Sequence, residues 1–306
     1  MKLLKVIFFA LNEFLPKWLS SFLLNAWTHS RIRRWLRKRR ATAVKKLKAQ
    51  CINAYGKFRA DEMVRVLMEQ GIAEGDILFV QCSFNDLYTL DASPVELVRA
   101  LESLVGASGN IFMPAYTSTP STPSQPFIPA LEPTYTGIVS EIFRRSAGVI
   151  RSLHPRHSIC GRGPLAQQIL AGHEACVRAD GPNSPFDRLR LLSNAKVLTL
   201  GLPLGHISFL HWVEDFEPDK LPFPVCRAEP VTSSIEMPDG STISIQDWQV
   251  RSDVAARLSL APLFKKISPH ACKFFQHKGI QIGVYPMMPL SLELLALRDR
   301  GVIHYD

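Results

Sequence analysis

The chain has 306 residues, 46% of them hydrophobic and 21% charged, which excludes a disordered chain and supplies enough apolar material for one large α/β core. Its formal charge of +9 is unevenly spread: residues 1–50 hold 13 Lys and Arg against the single acid Glu13, so residues 51–306 carry −3. The six cysteines, at 51, 82, 160, 176, 226 and 272, form no C-x-x-C pair and no metal-ligand spacing, which argues against a disulfide scaffold and predicts free thiols in a reducing, cytoplasmic compartment.

The opening "MKLLKVIFFALNEFLPKWLSSFLLNAW" is apolar but interrupted by Lys5, Glu13, Pro16 and Lys17. No run reaches the roughly 18–20 uncharged residues of a spanning helix, and there is no small-residue cleavage site of the secretory kind. The following "RIRRWLRKRRATAVKKLK" places ten cations in 18 positions beside Trp35 and Leu36. Apolar residues next to clustered cations fit an interfacial helix on an anionic membrane surface. Residues 1–50 are therefore expected to form a basic amphipathic, peripheral membrane segment ahead of one domain over 51–306. A helix packed on the body with a solvated basic face is the alternative. Nothing downstream resembles a nucleic-acid module, so nucleic acid is not an expected partner.

In the domain, a polar helix is predicted at 58–70. "GDILFVQCS" at 75–83 reads as a strand buried on both faces. "SPVELVRALESLVG" at 93–106 has a serine N-cap, proline in the first turn and a terminating glycine, and "GNIFMPAY" at 109–116 is a second strand. Strand, helix and strand predict a βαβ unit with a parallel pair. Residues 117–136, with five prolines, form a long loop of the kind that usually serves function. Helices are predicted at 137–147 and 163–173, a strand at 195–204 and a helix opening at Ser208. A hairpin follows at 233–248 about Asp239–Gly240, and the tail reads as a strand, a turn and a helix. The fold class is α/β, a three-layer sandwich with a mostly parallel central sheet and a small β-hairpin insertion.

Three constellations carry chemistry. In "IRSLHPRHSICGRG" at 150–163, Arg151, Ser152, His154, Arg156, His157 and Ser158 crowd one end of the sheet, where ligands bind in open α/β folds; a loop capping the next helix is the alternative. "GPNSPFDRL" at 181–189 offers backbone amides and Ser184 to a ligand, or is only a turn. In "GHISFLHWVED", Ser208 is placed to cap a helix with its hydroxyl on the amide of His211, and Glu214 lies on the same face as that histidine. An imidazole beside a carboxylate can accept a proton near neutrality.

From about residue 56 onward the chain resembles the aminoglycoside 3-N-acetyltransferase family. The resemblance runs through "ILFVQCSF", "LVGASGNIFMPAYT", "GIVSEIFRRSAGVIRSLHPRHSICGRG", "DGPNSPFDRL", "KVLTLGL" with "SFLHWVE", and "GIQIGVYPMMPLSLELLAL". It implies an acetyl-CoA-dependent N-acetyltransferase, with acetyl-CoA as co-substrate, no metal, and a small amine-bearing acceptor. By the same resemblance Ser83, Phe84, Arg151, Ser152, His154 and Ser184 line the coenzyme channel, His211 is the base, Glu214 its acid and Ser208 stands near the thioester. A sugar-like acceptor in cell-surface glycan metabolism is expected from the basic N-terminal segment. Aminoglycoside acetylation conferring antibiotic resistance is the alternative, and a catalytically inactive membrane-tethered binding protein the second. The chain departs from the family's His–Ser–Ser after the first strand, having Gln81, Cys82 and Ser83, and the orientation of the acidic run Glu214, Asp215, Glu217 and Asp219 is not readable from sequence.

Overall fold

The computed structural model describes residues 31–117, 121–122, 124–237 and 239–305. The expected apolar stretch at 1–30 lies outside them. The basic stretch forms the helix α1 (Arg31–Tyr55), so the expected boundary at residue 50 falls within a continuous helix. Its last turns rest on the body. Lys48 Nζ stands 5.3 Å above the Tyr88 ring, and a Cβ at Gly279 would come within 3.1 Å of Cys51 Sγ. Among the described residues no helix is long and apolar enough to cross a membrane.

The following elements, in chain order, are α2 (Ala60–Glu69), β1 (Ile77–Cys82), α3 (Pro94–Val105), β2 (Asn110–Pro114), α4 (Ile138–Arg144), β3 (Ile150–Arg151), β4 (Ile159–Arg162), α5 (Ala166–Leu170) and α6 (Pro185–Leu189). Then come β5 (Ala195–Leu200), α7 (Leu210–Phe216), β6 (Val231–Glu236), β7 (Thr242–Asp247), α8 (Ser252–Ala255), α9 (Leu260–Phe264), β8 (Lys273–His277), β9 (Ile280–Pro286) and α10 (Met287–Arg298). Local chemistry sets the boundaries. Ser93 and Glu96 close a reciprocal capping box at the start of α3, Pro94 occupies its first turn, and Gly106 ends it at φ 67°, a left-handed conformation natural to glycine.

Seven strands form one sheet in the order β3-β4-β2-β1-β5-β9-β8. The apolar run of β1 lies near its middle, and alternate residues feed two cores. Ile77 and Phe79 join Phe112, Trp212, Tyr285 and residues of α5, α6, α7 and α10 on one face. Leu78 and Val80 join Leu97, Leu101, Phe143 and residues of α2, α3 and α4 on the other. This double burial explains why the segment reads as continuously apolar rather than alternating.

The expectation of a mostly parallel sheet is corrected. β1 is parallel to β2 and β5, but the β2–β4, β3–β4, β5–β9 and β8–β9 pairings are antiparallel. The connections dictate this. The β3–β4 link, residues 152–158, is too short for a parallel crossover, which needs about a dozen residues or more. β8 and β9 are joined by Lys278 and Gly279 at φ 46° and 81°, the left-handed pair of a tight hairpin. The strands β6 and β7 form a separate antiparallel pair, packed through Ile235 and Ile245 on Phe127 of the proline-rich loop. Ser121 fastens that loop, its hydroxyl accepting from Ser234 N–H at 3.0 Å and donating to the Ser234 carbonyl.

Candidate functional site

The parallel strands β1, β2 and β5 all end at one edge of the sheet, and the β3–β4 loop turns there because Pro114 pairs with Ile159. This edge gathers Gln81 to Phe84, the 152–158 loop and the segment leading into α7. Gly201, at φ 71°, keeps them close: a Cβ there would lie 2.7 Å from the Ser83 carbonyl oxygen.

His211, in the first turn of α7, is at the centre. Its Nδ1 lies 3.2 Å from Glu214 Oε1, one turn along the same helix. The side chain of His211 is 37% exposed and that of Glu214 3%, so the ring reaches the surface while its partner does not. Glu214 Oε1 also accepts from Tyr305 OH at 2.7 Å and from His304 Nε2. A carboxylate can only accept, so the geometry fixes Nδ1 of His211 as the protonated nitrogen and leaves Nε2 for a substrate. Burial pushes the His211 imidazole down, but the Glu214 charge and hydrogen bond, aided by Asp180 and Asp215, outweigh it and hold it at about 9. Burial would raise Glu214, yet His211 and His304 hold it well below the usual carboxylate range.

A second imidazole stands beside the first. The His157 and His211 rings are 6.1 Å apart at 75°, and His157 Nδ1 is 2.7 Å from Asp180 Oδ2. Tyr116 lies 5.4 Å from the His157 ring. Asp180 in turn donates its backbone N–H to Asp215 Oδ2 at 3.1 Å. Burial, with the Asp180 charge, raises Asp215 to about 7.

Ser208 does not cap α7, which corrects the expected capping hydroxyl. The helix begins at Leu210 with no side-chain cap, and Ser208 reaches the His211 amide through its backbone carbonyl at 3.0 Å. Its hydroxyl and N–H face Gln81 instead. Gln81 Nε2 donates to Ser208 Oγ at 3.0 Å, and Ser208 N–H donates to Gln81 Oε1 at 2.8 Å.

The residues expected to line a coenzyme channel divide into two groups. Ser83 and Phe84 sit half-buried just beyond β1, Ser83 Oγ donating to Asp86 Oδ2 at 2.6 Å. The others are built into the loops. Arg151 Nε donates to Ser158 Oγ at 3.0 Å, and its terminal nitrogens donate to the carbonyls of Pro129, Glu132 and Ala115. Its guanidinium, 4.9 Å from the Phe127 ring, is lowered by burial to about 10. Ser152 accepts from Ile159 N–H at 2.9 Å and bonds His173 Nδ1 at 2.8 Å. His154 stacks on His173 at 5.0 Å and accepts from His157 N–H; burial keeps His154 well below the ordinary imidazole range. Ser184 is buried and caps α6, accepting from Asp187 N–H at 3.2 Å. Burial raises Cys82 and Cys160 to about 12, so neither is an activated nucleophile. Among the described residues no His, Cys, Asp and Glu group could hold a metal ion.

Asp180, His304 and Tyr305 enter the site without being picked out by sequence reasoning, and Gln81 is marked there only as a departure from the family's pattern. A polar residue at the end of the apolar run "ILFVQC" was the available signal for Gln81. The C-terminal pair carries no local signature. It is brought in by chain pairing, with Ser259 N–H donating to the His304 carbonyl at 2.8 Å and Leu258 bridging Tyr305.

The family described as aminoglycoside 3-N-acetyltransferase matches residues 79–267. Among curated proteins, aminoglycoside N(3)-acetyltransferase IV of a Salmonella species is 31% identical over 172 residues, covering 56% of this chain and 63% of that protein. Aminoglycoside N(3)-acetyltransferase IX of Micromonospora chalcea is 27% identical over 168 residues, covering 48% and 58%. The chain thus spans less than two thirds of the length of these relatives. Among solved structures, aminoglycoside acetyltransferase AAC(3)-Xa superposes with a TM-score of 0.67 at 18% identity, over 86% of this chain and 99% of its own. AAC-IIIb in a binary complex with CoASH superposes at 0.66 with 19% identity, over 79% and 97%.

Proposed function

The chain belongs to the aminoglycoside 3-N-acetyltransferase family, and from that premise we propose that it is an acetyl-CoA-dependent N-acetyltransferase acting on an amine of an amino sugar of the aminoglycoside type. The observation that carries this reading is the half-exposed His211 imidazole, tied through Nδ1 to a buried carboxylate that accepts two further donors. The names of the relatives favour aminoglycoside-type acceptors, and nothing supports the narrower expectation of a cell-surface glycan acceptor.

The residues fit the reaction. An amine of pKa about 8–10 is mostly protonated at neutral pH and must lose a proton to attack a thioester. His211 Nε2 takes that proton, and Glu214 stabilises the imidazolium that results. The amine nitrogen bonds to the thioester carbonyl carbon, the C–S bond breaks, and the coenzyme thiolate leaves and is protonated. The hydroxyl of Ser208, held by Gln81, is the donor nearest to hand for the oxyanion. Transfer is taken to be direct, from coenzyme to amine with both held together.

For the coenzyme, Ser83 and Phe84 border the proposed channel directly. Arg151, Ser152, His154 and Ser184 act by fixing the shape of its walls, because their polar atoms are engaged within the chain. For residues 1–50 we propose an anionic lipid surface as partner: residues 31–48 of α1 carry ten cations and no acid, the composition such surfaces attract.

Purified protein incubated with radiolabelled acetyl-CoA and a panel of aminoglycosides and simple amino sugars tests the reading. Label on an acceptor amine supports it. Coenzyme binding with no transfer to any amine rejects it.

A further inference from the structure

A cavity of about 850 Å³ has Glu214, the partner of the proposed base, in its wall. Of the acidic run after His211, Glu214 and Asp219 line this cavity, and most of the run is neutralised from within the chain. Glu214 is engaged by His211, His304 and Tyr305. Glu217 pairs with Arg298 at 2.8 Å and Lys220 at 2.7 Å. Asp215 lies 3.6 Å from Arg178 Nη1. Of that run only Asp219 has no cationic partner among the described residues.

Guanidinium groups, by contrast, line the same cavity. Arg178, Arg227 and Arg251 all contribute to its wall. Arg178 is laid over the Trp248 ring at 4.6 Å; its Nη1 forms an ion pair with Asp215 at 3.6 Å but is buried without a hydrogen bond. Arg227 is exposed at the rim, its backbone N–H donating to the Gln249 carbonyl at 2.9 Å, and has no carboxylate partner among the described residues. Arg251 is partly engaged by Asp253. A buried guanidinium nitrogen with no acceptor is costly, and the planar fork it belongs to matches phosphate and carboxylate oxygens.

We infer that this cavity seats an anionic group of the acceptor, a phosphate or carboxylate held by Arg178 and Arg227, so that an amino sugar bearing such a group is acetylated in preference to the same sugar without it. The inference rests on the reading of His211 as the base for amine acetylation.

The test compares kcat/KM for glucosamine, glucosamine 6-phosphate, muramic acid and kanamycin, and in parallel measures glucosamine 6-phosphate binding to the coenzyme-loaded protein by calorimetry. The phosphate or carboxylate acceptor is expected to exceed glucosamine by about tenfold or more, the effect of one charge-assisted hydrogen bond. Which of the two leads identifies the anion. Arg227→Gln, at an exposed position where folding is not at risk, and Arg178→Gln should each reduce that excess about tenfold, mainly through KM, and inorganic phosphate should compete with the acidic acceptors. Equal use of glucosamine and its phosphate ester, or an unchanged ratio in Arg227→Gln, overturns the inference. If no amine is acetylated but Arg227→Gln still weakens glucosamine 6-phosphate binding, the anion site stands and the acetyl-transfer reading fails. If the wild-type protein binds no glucosamine 6-phosphate, the anion site is rejected whatever the turnover.

Discussion

His211 Nδ1 and Glu214 Oε1 are 3.2 Å apart on one face of α7, and this pair sets the protonation state on which the proposed chemistry turns. With the imidazole held at about 9, roughly one per cent of it is neutral at pH 7. A base must be neutral to accept a proton, so kcat/KM is expected to rise with pH from 7 towards 9 and then level. Glu214→Gln removes the charge that raises the imidazole, so the rising limb should move to lower pH while the maximal rate falls. Rate profiles of both proteins with one acceptor check this; coincident limbs would detach Glu214 from the titrating group.

Glu214 is held in turn by the chain's own C-terminal residues. Tyr305→Phe removes the 2.7 Å hydrogen bond and leaves His211 and His304 as donors. The loss expected for a hydrogen bond to a buried charge is about 1.5–3 kcal/mol, read as a lower urea midpoint with unchanged slope. A midpoint within error of wild type would show that the tail does not support the carboxylate.

Gln81 clasps Ser208 through two hydrogen bonds, which gives it a specific role. Gln81→Ala leaves the Ser208 N–H without its acceptor and frees the hydroxyl. If Ser208 helps to hold the oxyanion, kcat should fall by about tenfold or more, with the acceptor KM little changed. Gln81→Glu keeps the acceptor for the Ser208 N–H but loses the amide donor to Oγ, so it should recover only part of the rate. A variant that turns over at the wild-type rate would remove the clasp from the mechanism.

The legibility of the site followed the range of the interactions that build it. β1 was readable because burial on both faces leaves an unbroken apolar run, and α3 because its capping box is local. The β8–β9 hairpin is legible only through its Lys278–Gly279 turn, because the half-exposed β8 lacks the apolar run of β9. The pairing of His211 with Glu214 was readable because helical spacing places them one turn apart. The contacts of His304 and Tyr305 with Glu214 span some 90 residues and leave no periodic trace. Arg151 and Ser152 were legible as polar residues at a sheet edge, but sequence could not show that their donors and acceptors are engaged by neighbouring loops.

Residues 1–50 make a separate prediction. Full-length protein should sediment with vesicles containing anionic lipid and be released as salt is raised, since the attraction is electrostatic. Deletion of residues 1–50 should abolish the effect. Persistent binding by the truncated protein would place the lipid contact elsewhere.

Steady-state kinetics of His211→Ala, paired with calorimetric titration of coenzyme A, is the most direct measurement of the central claim. Loss of the base should lower kcat by about 10²–10⁴-fold while coenzyme affinity stays within about twofold, a change too small to alter a charge-assisted contact. Acetyl transfer at the wild-type rate in that variant would contradict the assignment of His211 as the proton acceptor.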